Sequence, residues 1–144
     1  GIEILGTARR ASFSVTGAYA YVRPRERGDR DIALTPRHAA RLSAAVDDAG
    51  RGRISVQVHF TGVQRLDANP YRAESEPYTV VNLLGERPFG RWRLFVNAEN
   101  LGDVRQTRWD PIARTAPDVD GRWTVDAWAP LRGRVVNVGL RVSF

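Results

Sequence analysis

Hydrophobic and polar residues alternate along most of this chain with a period of two, the spacing of side chains on a β-strand. The last ten residues show it best. Val136, Val138, Leu140, Val142 and Phe144 share one parity, and Val135, Asn137, Gly139, Arg141 and Ser143 share the other. Turn residues divide the chain into about seven such segments. Strands are expected at 2–9, 11–22, 35–47, 53–66, 77–87, 91–104 and 135–144. Ile2, Ile4, Gly6 and Ala8 form the apolar side of the first; Phe13, Val15, Tyr19 and Tyr21 that of the second. Ala40, Leu42, Ala44 and Val46 follow in the third, Ile54, Val56, Val58 and Phe60 in the fourth, and Trp92, Leu94, Val96 and Ala98 in the sixth. The fifth is ambiguous in facing, because Tyr78 and Leu84 favour one parity for the core and polar Asn82 the other. Helix competes only at Ala39–Ala49, where Ala and Arg are good helix formers and Pro36 suits a first turn.

The connections alternate short and long. Turns near Arg10, at 48–52 and at Pro88-Phe-Gly90 are short; 23–31, 67–76 and 105–133 are long and polar. Charged residues within the strands share the parity opposite the apolar face: Arg37, Arg41, Arg93, Glu99 and Arg141. Transmembrane β-barrels have both habits, with short turns at one end, long loops at the other, lipid outside and a polar lumen inside. An Arg on the lipid face costs roughly 2–4 kcal/mol at the midplane, so the parity of Arg41 is energetically coherent. Tyr19, Tyr21, Trp92 and Phe144, near strand ends, suit interfacial girdles.

Composition narrows the classes. At 144 residues, with 42% hydrophobic and 26% charged content, the chain is neither disordered nor a helical membrane protein. Its net charge is +6 and all its basic side chains are Arg. A basic β protein that binds nucleic acid is one class this charge allows, but the Arg residues are scattered and no recognition motif accompanies them, so no nucleic-acid partner is expected. There is no Cys, which excludes disulfides and thiolate chemistry. His38 and His59 lie in separate strands without a nucleophile motif, so no enzyme and no catalytic residue is expected. Asp118-Val-Asp-Gly121 is part of a calcium-loop pattern, but the later ligands and the closing Glu are absent; it reads as a turn. No metal or cofactor is expected.

Three segments carry a family resemblance. Phe95-Val-Asn-Ala-Glu-Asn-Leu-Gly-Asp103, with Asn100, Leu101 and Asp103, resembles the end of the penultimate strand of TonB-dependent outer-membrane receptors. Ala129-Pro-Leu-Arg-Gly-Arg-Val135, leading to a Phe-terminated strand, resembles their last hairpin, and Leu34-Thr-Pro36 their entry to a descending strand. The resemblance is strongest over 92–144. It implies an all-β antiparallel meander, the C-terminal part (1–144, plug domain absent) of a barrel of about 22 strands. It implies a bacterial outer-membrane location and active import of a scarce small-molecule ligand, most often a ferric siderophore. The implied partners are outer-membrane lipid and lipopolysaccharide, the TonB complex through the plug, and the barrel assembly machinery.

Arg108, Trp109, Asp110, Arg114, Trp123, Asp126 and Trp128 in the long last loop are candidate ligand contacts, since Arg and aromatic side chains pair with and stack on ligands. They are equally suited to packing the loop onto a barrel rim. Arg23, Arg25, Arg27 and Arg30 are candidates for lipopolysaccharide phosphates, or simply a solvated loop. The final strand, with Val136, Val138, Leu140, Val142 and Phe144, is expected to face lipid and to serve as assembly signal by edge pairing. Deleting Phe144 should then impair assembly. A small complete barrel with a structural or adhesive role is the alternative. As part of a larger barrel, the chain alone should form an open, curled sheet with two free edges.

Overall fold

The computed structural model describes residues 1–23, 32–67 and 69–143. Seven strands form one antiparallel sheet in sequence order: β1 (Ile2–Arg10), β2 (Phe13–Tyr21), β3 (His38–Asp48), β4 (Gly52–Thr61), β5 (Tyr78–Phe89), β6 (Trp92–Glu99) and β7 (Val135–Val142). The chain is therefore all-β, an open meander in which β1 and β7 are edges. Only one short 3-10 turn, Gln106–Arg108, interrupts the described loops. The Ala-rich segment where helix competes is β3, because every residue from His38 to Val46 pairs with β2.

Local backbone chemistry sets the strand ends. β3 starts at His38 rather than Thr35: Leu34 has a left-handed φ of 57° and Pro36 has no N–H to offer a ladder. Arg37 thus precedes the strand. β4 stops at Thr61, and β6 at Glu99, where Asn100 turns left-handed (φ 51°). β5 runs through Pro88 to Phe89, leaving Gly90-Arg91 as the turn. Pro88 is tolerated because β4 has ended there: Arg53↔Glu86 is the last β4–β5 pair. Gly90 (φ 60°) gives this two-residue hairpin its positive φ, which Ala11 (φ 50°) supplies between β1 and β2. Between β3 and β4, Asp48 Oδ1 accepts the N–H groups of Gly50 and Arg51, both at 2.9 Å.

The register is sheared. Tyr21, at the long-loop end of β2, is level with His38. Val136, at the same end of β7, is level through Ala98, Leu83, Val56 and Ala44 with Val15, six residues along β2. Six residues over five pairings is about one residue per strand, the stagger that inclines strands in a barrel wall.

The sheet is a single layer. The buried apolar cluster is not between layers but among the loops, where Leu66, Trp128 and Ala129 gather with Tyr78 and Trp109. The chain exposes 10,068 Å², against about 7,400 Å² expected of a folded globular monomer of 16.1 kDa. One sheet on its own cannot bury its hydrophobic face, so this excess marks surface that something else must cover.

Candidate functional site

The pairing assigns every strand side chain to a face. On one face lie Ile2, Ile4, Gly6 and Ala8; Phe13 to Tyr21 at odd positions; His38 to Val46 at even positions; and Ile54, Val56, Val58 and Phe60. It continues through Thr79, Val81, Leu83 and Gly85, then Trp92, Leu94, Val96 and Ala98, and ends with Val136, Val138, Leu140 and Val142. Tyr78, Asn82 and Leu84 take the other face, which resolves β5: Asn82 decided its facing, and Tyr78 turns to the loop cluster instead.

This apolar face is uncovered. Apart from Leu5, every exposed large hydrophobic within the strands belongs to it, with Val138 at 67% exposure. Seven strands spaced ~4.8 Å apart and ~30 Å long present roughly 1,000 Å², beyond the largest patch of an ordinary soluble monomer. The face is also graded along the strands. Its aromatic side chains sit only toward strand ends: Tyr19, Tyr21 and Phe60 by the long loops, Phe13, Phe89 and Trp92 by the short turns. Between them the face is aliphatic on β2 to β6, with Gly, Ala, Val, Leu and Ile54, except for Arg87 just inside Phe89. At the short-turn end Arg10, Asp48 and Arg87 carry its only strand charges. Phe144 lies outside the described residues, as do Arg25, Arg27 and Arg30; Arg23 is exposed.

The opposite face carries Arg9, Arg41, Asp47, Arg53, Glu86, Arg93, Glu99 and Arg141. Asp47, Arg53 and Glu86 are successive cross-strand neighbours, with Arg53–Asp47 at 3.8 Å and Arg93–Glu86 at 3.2 Å. These exposed pairs contribute little stability individually. Gly139 opposes Phe95 on this face, and a Cβ there would collide with the Phe95 ring. The glycine makes room for the aromatic ring to lie across β7.

The described parts of two long loops, 62–67 with 69–77, and 100–134, fold into one cap at the long-loop end. Gln106 is fully buried (0% exposed) at its centre. Its Oε1 accepts the N–H groups of Trp128 (2.8 Å) and Ala129 (3.3 Å), and its Nε2 donates to the Asp126 carbonyl (3.0 Å). Gln64 Nε2 donates to the Trp128 carbonyl at 3.1 Å, and Tyr71 donates its hydroxyl proton to the Ala113 carbonyl at 2.6 Å. Sequence reasoning missed Gln64, Tyr71, Arg72 and Gln106; neutral amides and loop residues in unrelated segments carry no signal of their partners.

The seven loop candidates are brought into this cap, and most are engaged within it. Asp110 has both carboxylate oxygens within 2.9 Å of Arg72 Nε. Arg72 lies 5.8 Å over Trp128, which is 3% exposed and packs on Trp109 at 5.3 Å between ring centroids. Arg108 pairs with Asp103 at 2.6 Å, Asp126 with Arg122 at 3.0 Å, and Arg114 with Asp118 at 3.7 Å. Trp123, 60% exposed, is the candidate presented most openly to solvent. The group thus builds the cap, and Trp123 is the side chain offered outward.

The Asn100–Asp103 segment ties β6 to β7. Asn100 Nδ2 donates to the carbonyls of Val104 (2.8 Å) and Arg132 (3.2 Å), while its Oδ1 accepts the Val104 N–H at 2.9 Å. Asp103 Oδ1 accepts the Arg134 N–H at 3.0 Å, and the Arg134 guanidinium donates back to the Leu101 carbonyl. The Arg134 N–H, then the Arg105 and Arg108 guanidinium groups, hold the Asp103 carboxyl below its ordinary pKa. Gly133 passes so near Asp103 that a Cβ would collide with Oδ1.

Asp118 behaves as a turn residue. Its Oδ1 accepts the N–H groups of Asp120 and Arg122, each at 2.9 Å. The Arg122 N–H foremost, then that of Asp120 and the Arg122 guanidinium, lowers its pKa, and Asp118 and then Asp126 raise that of Arg122. His38 Nδ1 lies 2.7 Å from Tyr19 Oη, whereas His59 is in β4 beside Arg41. Among the described residues no cluster of His, Asp or Glu could hold a metal, and no helix is long and apolar enough to cross a membrane. No family model, curated protein or solved structure matches this chain.

Proposed function

We propose that this sheet is a section of wall from a transmembrane β-barrel, with its apolar face in lipid and its charged face toward a lumen. The observation that carries this reading is the uncovered apolar face, aliphatic in its middle and aromatic at both ends. The sheared register and the alternation of short turns and long loops support it further. A soluble sandwich would need a second layer on that face, and would have no reason to confine aromatics to the strand ends.

Within that reading, we infer that the barrel belongs to a TonB-dependent receptor of the outer membrane, importing a scarce small-molecule ligand such as a ferric siderophore. The resemblance over 92–144 supports this, and the Asn100–Asp103 junction gives it a physical sense: the resembling residues are those that join the last two strands. Loop capture would fall to the outer surface of the cap around Trp123. The test has two arms. Leu42→Arg, at mid-strand on the apolar face, should reduce membrane insertion by roughly 2–4 kcal/mol, while Ser43→Arg on the other face should leave it near wild type. In the full receptor, siderophore uptake should require TonB and fall with Trp123→Ala. Equal effects of the two Arg variants would refute the membrane wall; TonB-independent uptake would refute the receptor assignment alone.

A further inference from the structure

The apolar face holds one feature that lipid contact alone does not explain. Arg87 points out of it from β5, opposite Leu94 of β6 and one residue beyond the last β4 pair, Arg53↔Glu86. The next pair toward the short-turn end is Phe89↔Trp92. Arg87 therefore lies inside the aromatic band by two residues, about 7 Å along the strand. That depth is costly for a guanidinium unless it reaches up to an anion or to water.

Beside it is a groove of about 800 Å³, floored by Gly85 and walled by Ile54, Leu94 and Val96. A Cβ on Gly85 would meet nothing within 4 Å, so the floor is open. The same groove is bordered by Arg51, Arg53, Asp48 and Glu86. Asp48 is occupied by the backbone of its own turn, Glu86 by Arg93, and Arg53 by Asp47. Arg51 and Arg87 have no side-chain partner among the described residues. The groove thus joins an apolar trough to a lining of three Arg against two carboxylates, in which Arg51 and Arg87 are not ion-paired, and that combination is complementary to a lipid with a negative headgroup.

Resting on the membrane-wall reading above, we propose that this groove binds an anionic glycerophospholipid. An acyl chain would lie over Gly85 between Ile54 and Val96, and the headgroup phosphate would meet Arg87 and Arg51. The phosphate supplies the anion that Arg87 lacks within the protein.

The test reconstitutes the full receptor in vesicles of equal phosphatidylcholine and phosphatidylglycerol, then detects lipid retained after extraction by native mass spectrometry. Wild type should retain phosphatidylglycerol with about fivefold preference. Arg87→Gln should abolish that preference, Gly85→Leu should reduce retention of both lipids by filling the trough, and Arg141→Gln, on the other face, should change neither. Equal retention of the two lipids by wild type, or a preference unchanged in Arg87→Gln, would overturn the lipid site while leaving the membrane wall standing. Failure of wild type to enter the vesicles at all would overturn both.

Discussion

Gln106→Leu is the sharpest perturbation of the loop cap, because it keeps volume and removes every side-chain hydrogen bond at the buried centre. Two backbone donors, the N–H groups of Trp128 and Ala129, lose their acceptor, and the Asp126 carbonyl loses its donor. A buried donor left unpaired costs about 1–3 kcal/mol. The 3.3 Å bond to Ala129 is the weaker, so a total near 3 kcal/mol is expected. That corresponds to roughly a hundredfold rise in the open population of the cap, since 1.4 kcal/mol is tenfold. Gln64→Leu removes one hydrogen bond to the Trp128 carbonyl and should cost about 1 kcal/mol, or about fivefold. Amide hydrogen exchange across 126–129, measured in detergent micelles, reads both effects at the same site. Strand amides of β2 to β4 should be unaffected, because β5, through Tyr78, is the strand that packs on the cap cluster. Equal acceleration by the two variants, or Trp128 and Ala129 amides that exchange freely in wild type, would refute the clamp.

The β6–β7 junction should be acid-labile. Asp103 has a depressed pKa, so its contribution is fully present above the ordinary aspartate range and is lost as the pH falls through the depressed value. Limited proteolysis within 100–134 should therefore rise at strongly acidic pH in wild type, and Asp103→Asn should show that susceptibility at neutral pH without the acid step. Gly139→Ala should destabilise the last hairpin by about 1–3 kcal/mol through collision with the Phe95 ring. Phe95→Ala in the same chain should recover most of that loss, and a denaturation series showing simple additivity would contradict the packing.

The two faces were legible in the sequence because strand periodicity is strict. Leu42 and Ser43 are assigned to opposite sides by parity alone, and the register does the same. The strand ends were less legible, since they depend on single residues turning left-handed, as Leu34 and Asn100 do. The facing of β5 was ambiguous because Tyr78 is large and apolar yet serves the loop cluster, a long-range contact that no local pattern announces. The same holds for the candidate ligand residues. Arg72 meets Asp110 across 38 positions and Tyr71 meets Ala113 across 42, so sequence spacing could not show that Asp110 and Trp128 are absorbed in packing. The Asn100–Asp103 segment was recognisable as a pattern, but its work, joining the two ends of the last long loop, appears only once Arg132 and Arg134 are brought beside it.

The chain has no cysteine, so single cysteines can report each face without background. The most direct measurement places them one at a time from Leu42 to Val46 and from Leu94 to Asn97 in the membrane-inserted protein, and records labelling by a charged maleimide together with quenching by a lipid-borne quencher. The wall account predicts strict alternation: positions 42, 44, 46, 94 and 96 protected from the maleimide and quenched by lipid, and positions 43, 45, 95 and 97 the reverse. Uniform labelling of both sets, or protection of the apolar set in a soluble, lipid-free protein, would contradict it.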